Sequence, residues 1–327
     1  MTLVVGVDEA GYGPNLGPLC IGVSAWEVRS KRPNADVDLF RLLDRVVSNG
    51  PCERRLPIAD SKILYKPGGG VEALECGVLA MMSLLDQAPA SCWETLVGGL
   101  AADSEGRRHQ LPWHSNGYNP AVPRDSCPER LSTLRSFVRS ELPDNIALRA
   151  IGGRMVFPAE FNGGCREHAS KGRALSCWTL ALVRETIERL TSESSTQPPT
   201  FILVTCDKHG GRNTYAGLLS EFFPGYSLRV VVESRPRSAY LLAHDGVEIR
   251  IEFRSKGESQ LETALASMVA KYLRELSMHA FNAYWQSHLP KIKPTAGYPG
   301  DAKRFKLDIE AKQRELAISD EILWRER

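Results

Sequence analysis

The sequence predicts an α/β layer fold built on a mixed central sheet. Three observations predict it. Short β-branched runs alternate with longer stretches of helical period, the pattern of strands and helices packed in layers. The runs at residues 3–7 and 201–206 are apolar throughout, as in strands covered on both faces. Asp245-Gly246 stands between the strand-like segments at 239–243 and 247–253, a hairpin signal that adds antiparallel pairing.

In chain order, the strand at 3–7 is followed by a tight loop carrying Gly11, Gly13, Pro14 and Gly17, then a strand over 20–28. Apolar spacing predicts a helix over 71–85. Residues 89–130 are rich in Gly, Pro, Ser and Asn and hold no sustained period, which reads as an insertion or a long surface loop. A strand over 146–157 and an amphipathic helix over 170–190 come next, ended by a polar, Pro-containing stretch at 192–199. After the strand at 201–206 and the hairpin, a helix spans 260–286, then a Pro-broken stretch at 289–299 and a charged terminal helix. Trp178, Phe281, Tyr284 and Trp285 fall on helical faces as core residues.

The chain of 327 residues is long enough for one elaborated domain or a domain with an appendage. A net charge of +2 does not announce a polyanionic partner, so any phosphate-binding face has to come from local clustering. Lys208, Arg212, Arg235 and Arg237 form one candidate basic rim, and Lys291, Lys293, Lys303, Arg304 and Lys306 another. Eight cysteines without a C-x-x-C pair argue against zinc and against a disulfide framework, and favour reduced thiols in the cytoplasm. The apolar stretch at 3–7 is too short for a signal sequence, and no run approaches a membrane span.

Carboxylates at strand ends carry the chemistry. Asp8 and Glu9 end the first strand, Asp207 ends a later one, and Glu258 precedes a helix, with Glu262 one turn further on as an alternative. An Asp-Glu pair at a strand end is, alone, usually a solvated turn or a cap. If these acids converge, two charges ~4 Å apart at an effective dielectric of 20 repel by about 4 kcal/mol, so the cluster holds either protons or divalent metal. Oxygen ligands select Mg²⁺ or Mn²⁺, and a pair of such ions suits in-line phosphodiester cleavage. Gly11-x-Gly13 after a strand suggests a dinucleotide loop, but acids occupy the phosphate approach and Pro14 interrupts the helix start. His209 and His279 have no second ligand at metal spacing; His209, close to Asp207, is a candidate for proton transfer.

The motifs resemble a known family. Val7-Asp8-Glu9-Ala10-Gly11-Tyr12-Gly13-Pro14 with Gly17-Pro18, Asp60-Ser61-Lys62, Phe161-Asn162 before a helix, Lys256-Gly257-Glu258 with Ala266-Ser267-Met268-Val269-Ala270-Lys271, and Gly297-Tyr298-Pro299 are similar, in order, to the blocks of type 2 ribonucleases H (ribonuclease HII). That family cleaves the RNA strand of RNA–DNA hybrids, and many members nick at a ribonucleotide embedded in duplex DNA. The resemblance implies a ribonuclease H-like mixed sheet with helices on both faces. It also implies a catalytic domain over 1–275, with insertions at about 89–130 and 208–250, and a C-terminal helical extension over 276–327. Two divalent ions, Mg²⁺ or Mn²⁺, would be held by Asp8, Glu9, Asp207 and Glu258; the fourth acid is Asp in type 2 members and Glu in the type 3 branch. Gly11, Tyr12 and Gly13 would read the 2′-hydroxyl, Asp60, Ser61 and Lys62 would border the substrate backbone, and Tyr298 would stack on it with Lys303 and Arg304 nearby. Tyr12 stands where the family usually has a basic residue, and a long interval separates Asp207 from Glu258. Type 2 and type 3 selectivity both remain open. So do a structure-selective DNA nuclease and a non-catalytic hybrid-binding module, although four retained acids argue against the last.

Overall fold

The computed structural model describes residues 1–30, 37–66, 68–115, 117–193 and 198–326. Its centre is a seven-stranded mixed sheet, as the sequence predicts. The strands are β1 (Thr2–Ala10), β2 (Leu19–Val28), β3 (Ile146–Val156), β4 (Phe201–Asp207), β5 (Ser227–Glu233), β6 (Arg237–His244) and β7 (Val247–Arg254), in the spatial order β3-β2-β1-β4-β7-β6-β5. β1 runs parallel to β4, and β4 to β7; all other neighbours are antiparallel. The apolar runs of β1 and β4 occupy the middle because both their faces are covered. Val4 belongs to the core on one face, and Leu3, Val5 and Val7 to the core on the other.

The main helices are α1 (Glu72–Met82), α2 (Trp93–Leu100), α3 (Pro128–Glu141), α4 (Pro158–Glu167), α5 (Lys171–Glu193), α6 (Ala216–Phe222), α7 (Leu261–His288) and α8 (Pro299–Glu315). α7 lies directly on β1 and β2, and a side chain at Gly6 or Gly22 would run into its backbone at Glu262–Thr263 or Ala266. Phe281 and Trp285 are buried on this helix and Trp178 on α5, as expected. Tyr284 packs partly buried against the same core. α7 also runs unbroken past position 275, where the sequence suggested a domain boundary.

Three expectations need correcting. β1 does not stop before the acids; it continues through Asp8, paired with Gly22, and Glu9, paired with Ile21. The long interval after Asp207 adds α6 and the unforeseen strand β5 to the sheet edge beside the expected hairpin. Most consequentially, residues 89–130 are not a surface loop. Trp93, Leu96, Val97, Leu100, Leu111 and Trp113 from this segment are buried in the main core. Trp93, Leu96, Val97 and Leu100 share one eight-residue helix, and Leu111 and Trp113 lie in turns, so no sustained period shows in the sequence.

Glu75, fully buried on α1, ties this segment down. Its carboxylate accepts from the backbone N–H groups of Arg124, Asp125 and Ser126 at 2.7–2.9 Å and from the Tyr272 hydroxyl at 2.6 Å. Hydrogen bonds to a charged group are worth about 1.5–3 kcal/mol each, and orphaned buried donors add a penalty. Glu75→Ala should therefore destabilise the chain by at least about 3 kcal/mol in urea titration. Replacing 89–130 with a short linker should unfold the protein. A folded, cooperative deletion variant would show that the segment is dispensable after all.

Candidate active site

The register of the parallel pair builds the acidic corner. Val7 pairs with Cys206, so the next residues, Asp8 and Asp207, emerge side by side. One carboxylate oxygen each from Asp8, Glu9 and Asp207 lies within 4.8 Å of the others. Lys256, in a left-handed conformation (φ 66°), turns the chain after β7, and the Gly257 N–H then donates to the Asp207 carboxylate at 3.1 Å. This turn sets Glu258 beside the trio, with Oε1 3.4 Å from the Lys62 ammonium and a buried Oε2 that has no hydrogen-bond partner. Glu262 is buried too, but it lines a separate cavity of about 340 Å³ with Thr205, Arg254 and Gln260. Glu258, rather than Glu262, neighbours the cluster.

The electrostatics match a cluster that lacks counter-charge. Burial, then the charge of Asp207, pushes the Asp8 carboxyl up to about 7. Glu9 is raised well above its usual range by burial and by Asp8 and Asp207. Burial raises Asp207 and Glu258 as well, against backbone hydrogen bonds that oppose it. An all-oxygen donor set, mutual repulsion and an orphaned Glu258 oxygen together fit a hard divalent cation.

Two buried arginines hold the adjoining glycine loop. Arg274 on α7 donates to the carbonyls of Pro18 (2.6 Å), Leu16 (3.3 Å) and Ala296 (3.0 Å). Arg325 donates to the carbonyls of Gly11 (2.6 Å) and Pro14. Gly11 (φ 87°) lies so close to Arg274 that a side chain there would collide with it. Neither arginine was anticipated. Arg274 had a faint signal, a charge within the apolar run of α7; Arg325 had none.

Asp60 caps a short helix, Ser61–Leu64, by accepting from the Lys62 N–H at 2.9 Å. The Ser267 hydroxyl lies 3.1 Å from Ser61 Oγ and also hydrogen-bonds Asp8. Lys62 itself is largely exposed beside Glu258. Tyr12 is half-buried, within the field of Glu9, with the Lys171 ammonium 4.3 Å from its ring centroid. Gly13 faces open space. Tyr298 is 54% exposed, and the preceding Gly297 carbonyl accepts from Asn15 at 2.8 Å, which joins it to the loop.

Several expected cations are committed elsewhere. Lys303 is exposed, but Arg304 binds Asp301 and Asp308 and donates to the carbonyls of Lys293 and Pro294. Lys306 pairs with Asp320. Lys208 is buried, donating to Arg212 O, Asn213 Oδ1, Ser234 O and Ser238 Oγ. Arg237 pairs with Glu252, so the rim expected around Lys208 does not form as such. His209 is no proton shuttle: it is buried edge-on against the stacked rings of Tyr215 and Phe253, bonded to Ser176, and burial pushes its pKa down to about 3.

Sheet and site together define an α/β protein with a mixed central sheet and an acidic centre. Its sequence is similar to ribonuclease HII of Caldivirga maquilingensis, 31% identical over 78 residues, a stretch covering 21% of this chain. That match spans only 37% of the relative's length. The likeness is to the type 2 ribonuclease H family, the one the motifs resemble. No family model matches. Among solved structures the chain is distantly similar to ribonuclease H2 from Pyrococcus horikoshii (TM-score 0.41, 17% identity, 98% of this chain and 92% of that one). It is likewise distantly similar to ribonuclease HII in a PCNA complex from Archaeoglobus fulgidus (0.40, 14%, 99% and 94%) and to Bst-RNase HIII with Mn²⁺ (0.39, 14%, 99% and 66%). No helix among the described residues is long and apolar enough to cross a membrane.

Because the folded pKa values of these acids lie above their unfolded ones, the cluster favours folding at low pH. That contribution is lost as pH rises from the ordinary carboxylate range through about 7. In metal-free buffer at pH 8, Asp8→Asn should raise the melting temperature, by about 2–4 °C for each kcal/mol of repulsion relieved. Mg²⁺ or Mn²⁺ should raise that of the wild type more than that of the variant. A wild-type melting temperature indifferent to both ions would remove the case for a metal centre.

Proposed function

We propose that this chain is a metal-dependent endoribonuclease acting on the RNA strand of RNA–DNA hybrids or at ribonucleotides embedded in duplex DNA. The observation that carries the reading is the convergence of Asp8, Glu9 and Asp207, with the orphaned Glu258 oxygen beside them. These four residues would hold two divalent ions, Mg²⁺ or Mn²⁺. Such ions supply Lewis-acid stabilisation of charge at a phosphodiester and hydroxide at neutral pH for in-line displacement.

The chain's own groups do the rest. Ser267 orients the Asp8 carboxylate, and Lys62 offers a phosphate an exposed positive charge beside Glu258. The Gly11–Tyr12–Gly13 loop, held by Arg325 at the Gly11 and Pro14 carbonyls, would turn toward the sugar. Tyr298, exposed and tied to that loop, provides a stacking face. The eight free thiols suit a reducing, cytoplasmic setting. Tyr12, in place of a cation, favours as a second reading a nuclease that selects DNA structure over ribose.

A cleavage assay separates these readings. It compares a continuous hybrid, a single ribonucleotide in duplex DNA and an all-DNA duplex, each with Mg²⁺ or Mn²⁺. Cleavage at RNA is expected, and Asp8→Asn should abolish it while leaving the fold intact. Cleavage of the all-DNA duplex alone would favour the second reading, and no cleavage at all would leave a binding module. Tyr298→Ala should cost about tenfold or more at the ribonucleotide junction, since stacking is worth about 1–3 kcal/mol. Equal loss on every substrate would reduce Tyr298 to a packing residue.

A further inference from the structure

We propose that the outer edge of β3 is a docking site for an extended segment of a partner protein, which pairs with the edge as an added strand and carries a lysine or arginine. The inference goes beyond the proposed function and does not rest on it, since the acids lie on other strands.

β3 closes one side of the sheet, paired with β2 and with no strand beyond it. The Met155 N–H points outward, where it donates to Ser104 Oγ at 2.9 Å. In an antiparallel ladder alternate residues turn their main-chain groups to the same side, so those of Ile151 and Gly153 face outward as well. Among the described residues no group hydrogen-bonds them from that side. Gly152 and Gly153 have no side chains to screen this stretch, and both are partly exposed. Unpaired main-chain groups in a row are a template for another strand.

The edge is recessed. It lines a cavity of about 990 Å³ that is walled by the end of α2, at Leu100, and by α5, at Leu182 and Thr186. The stretch 149–154 along its floor suits an ordinary strand of about 5–6 residues. Walls on both sides admit a single extended chain and keep out the sheet edge of a second copy.

Charge selects the segment. The arginines that line the cavity are already paired: Arg107 and Arg154 with Glu160, Arg149 with Glu27, and Arg189 with Glu193. Asp86, Asp103 and Glu185 line it too, and none of them has an ion pair among the described residues. Asp103 and Glu185 lie within each other's field; Arg154, whose charge also reaches Glu185, is held by Glu160 at 2.8 Å. A lysine or arginine on the added strand would meet this unpaired negative charge, and an acidic residue would be repelled by it.

The test uses the 327-residue chain and a fluorescein-labelled peptide of alternating threonine and valine with one central lysine, titrated by anisotropy up to about 1 mM. Binding should slow hydrogen exchange at the Ile151 and Gly153 amides, read by NMR, because peptide carbonyls accept from them. The same peptide N-methylated at the donors that face β3 should bind about tenfold more weakly. Wild type should prefer the lysine peptide to one with glutamate in its place, and Glu185→Lys should reverse that preference. Glu185 is exposed on its helix, so the variant should keep the wild-type melting temperature. If it fails to fold, Asp103→Asn, which should shrink the preference, takes its place. No binding up to that concentration, binding that leaves both amides exchanging as in the free protein, or equal binding of the N-methylated peptide overturns the docking site. Protection of the edge with no preference for lysine over glutamate overturns the basic partner.

Discussion

Carboxyl groups crowded into a corner with little water repel one another, and much of this structure exists to hold them there. Burial raises every one of these acids above its ordinary pKa, and neighbouring carboxylates add to it for Asp8, Glu9 and Glu258. The geometry is imposed by the backbone. β1 and β4 are parallel and in register, so Asp8 and Asp207 emerge together, and pulling them apart would break the centre of the sheet. Gly6 and Gly22 let α7 press against the same strands, which brings Ser267 to Asp8. Acids held this close are costly to the fold unless a counter-charge joins them.

The loop beside the cluster obeys a second constraint. Arg274 and Arg325 are both almost fully buried, and their partners are main-chain carbonyls of residues 11–18 and of Ala296. Each carbonyl drawn inward orients its peptide group, which turns a glycine-rich segment into a shaped surface. Burial lowers the pKa of both arginines. Arg325 also ties the C-terminal segment to this loop through its own backbone, donating to the Asn15 carbonyl at 2.8 Å. The terminal helices are thereby fastened to the site and do not hang from one end of the sheet.

Positive charge is apportioned by what holds it. Guanidinium groups that meet carboxylates, as in Arg237 and Arg304, are spent on the protein's own architecture. Lys62 also meets a carboxylate, Glu258 at 3.4 Å, but its side chain stays largely exposed at the edge of the acids. A chain with a net charge of only +2 can still present cations to a polyanion in this way, because the local arrangement and not the total decides the field.

The sequence by itself determined the layer class, the two-sided burial of β1 and β4, the hairpin at Asp245-Gly246 and the strand-end acids Asp8, Glu9 and Asp207 that the fold brings together. These follow from periods of two and 3.6 residues, from turn chemistry and from carboxylates placed at strand ends, all of which are local. It left open whether Glu258 or Glu262 lies beside the three converging acids, because one helical turn separates them and the sharp turn at Lys256-Gly257 decides it. The helices hidden in 89–130 were illegible because each is too short to establish a period, and only contact with the main core shows their apolar faces. The fates of Lys208, His209, Arg304 and Arg325 were illegible for another reason. A side chain's charge is written at one position, but whether it is buried, paired or presented depends on residues far along the chain that only the tertiary fold brings to it.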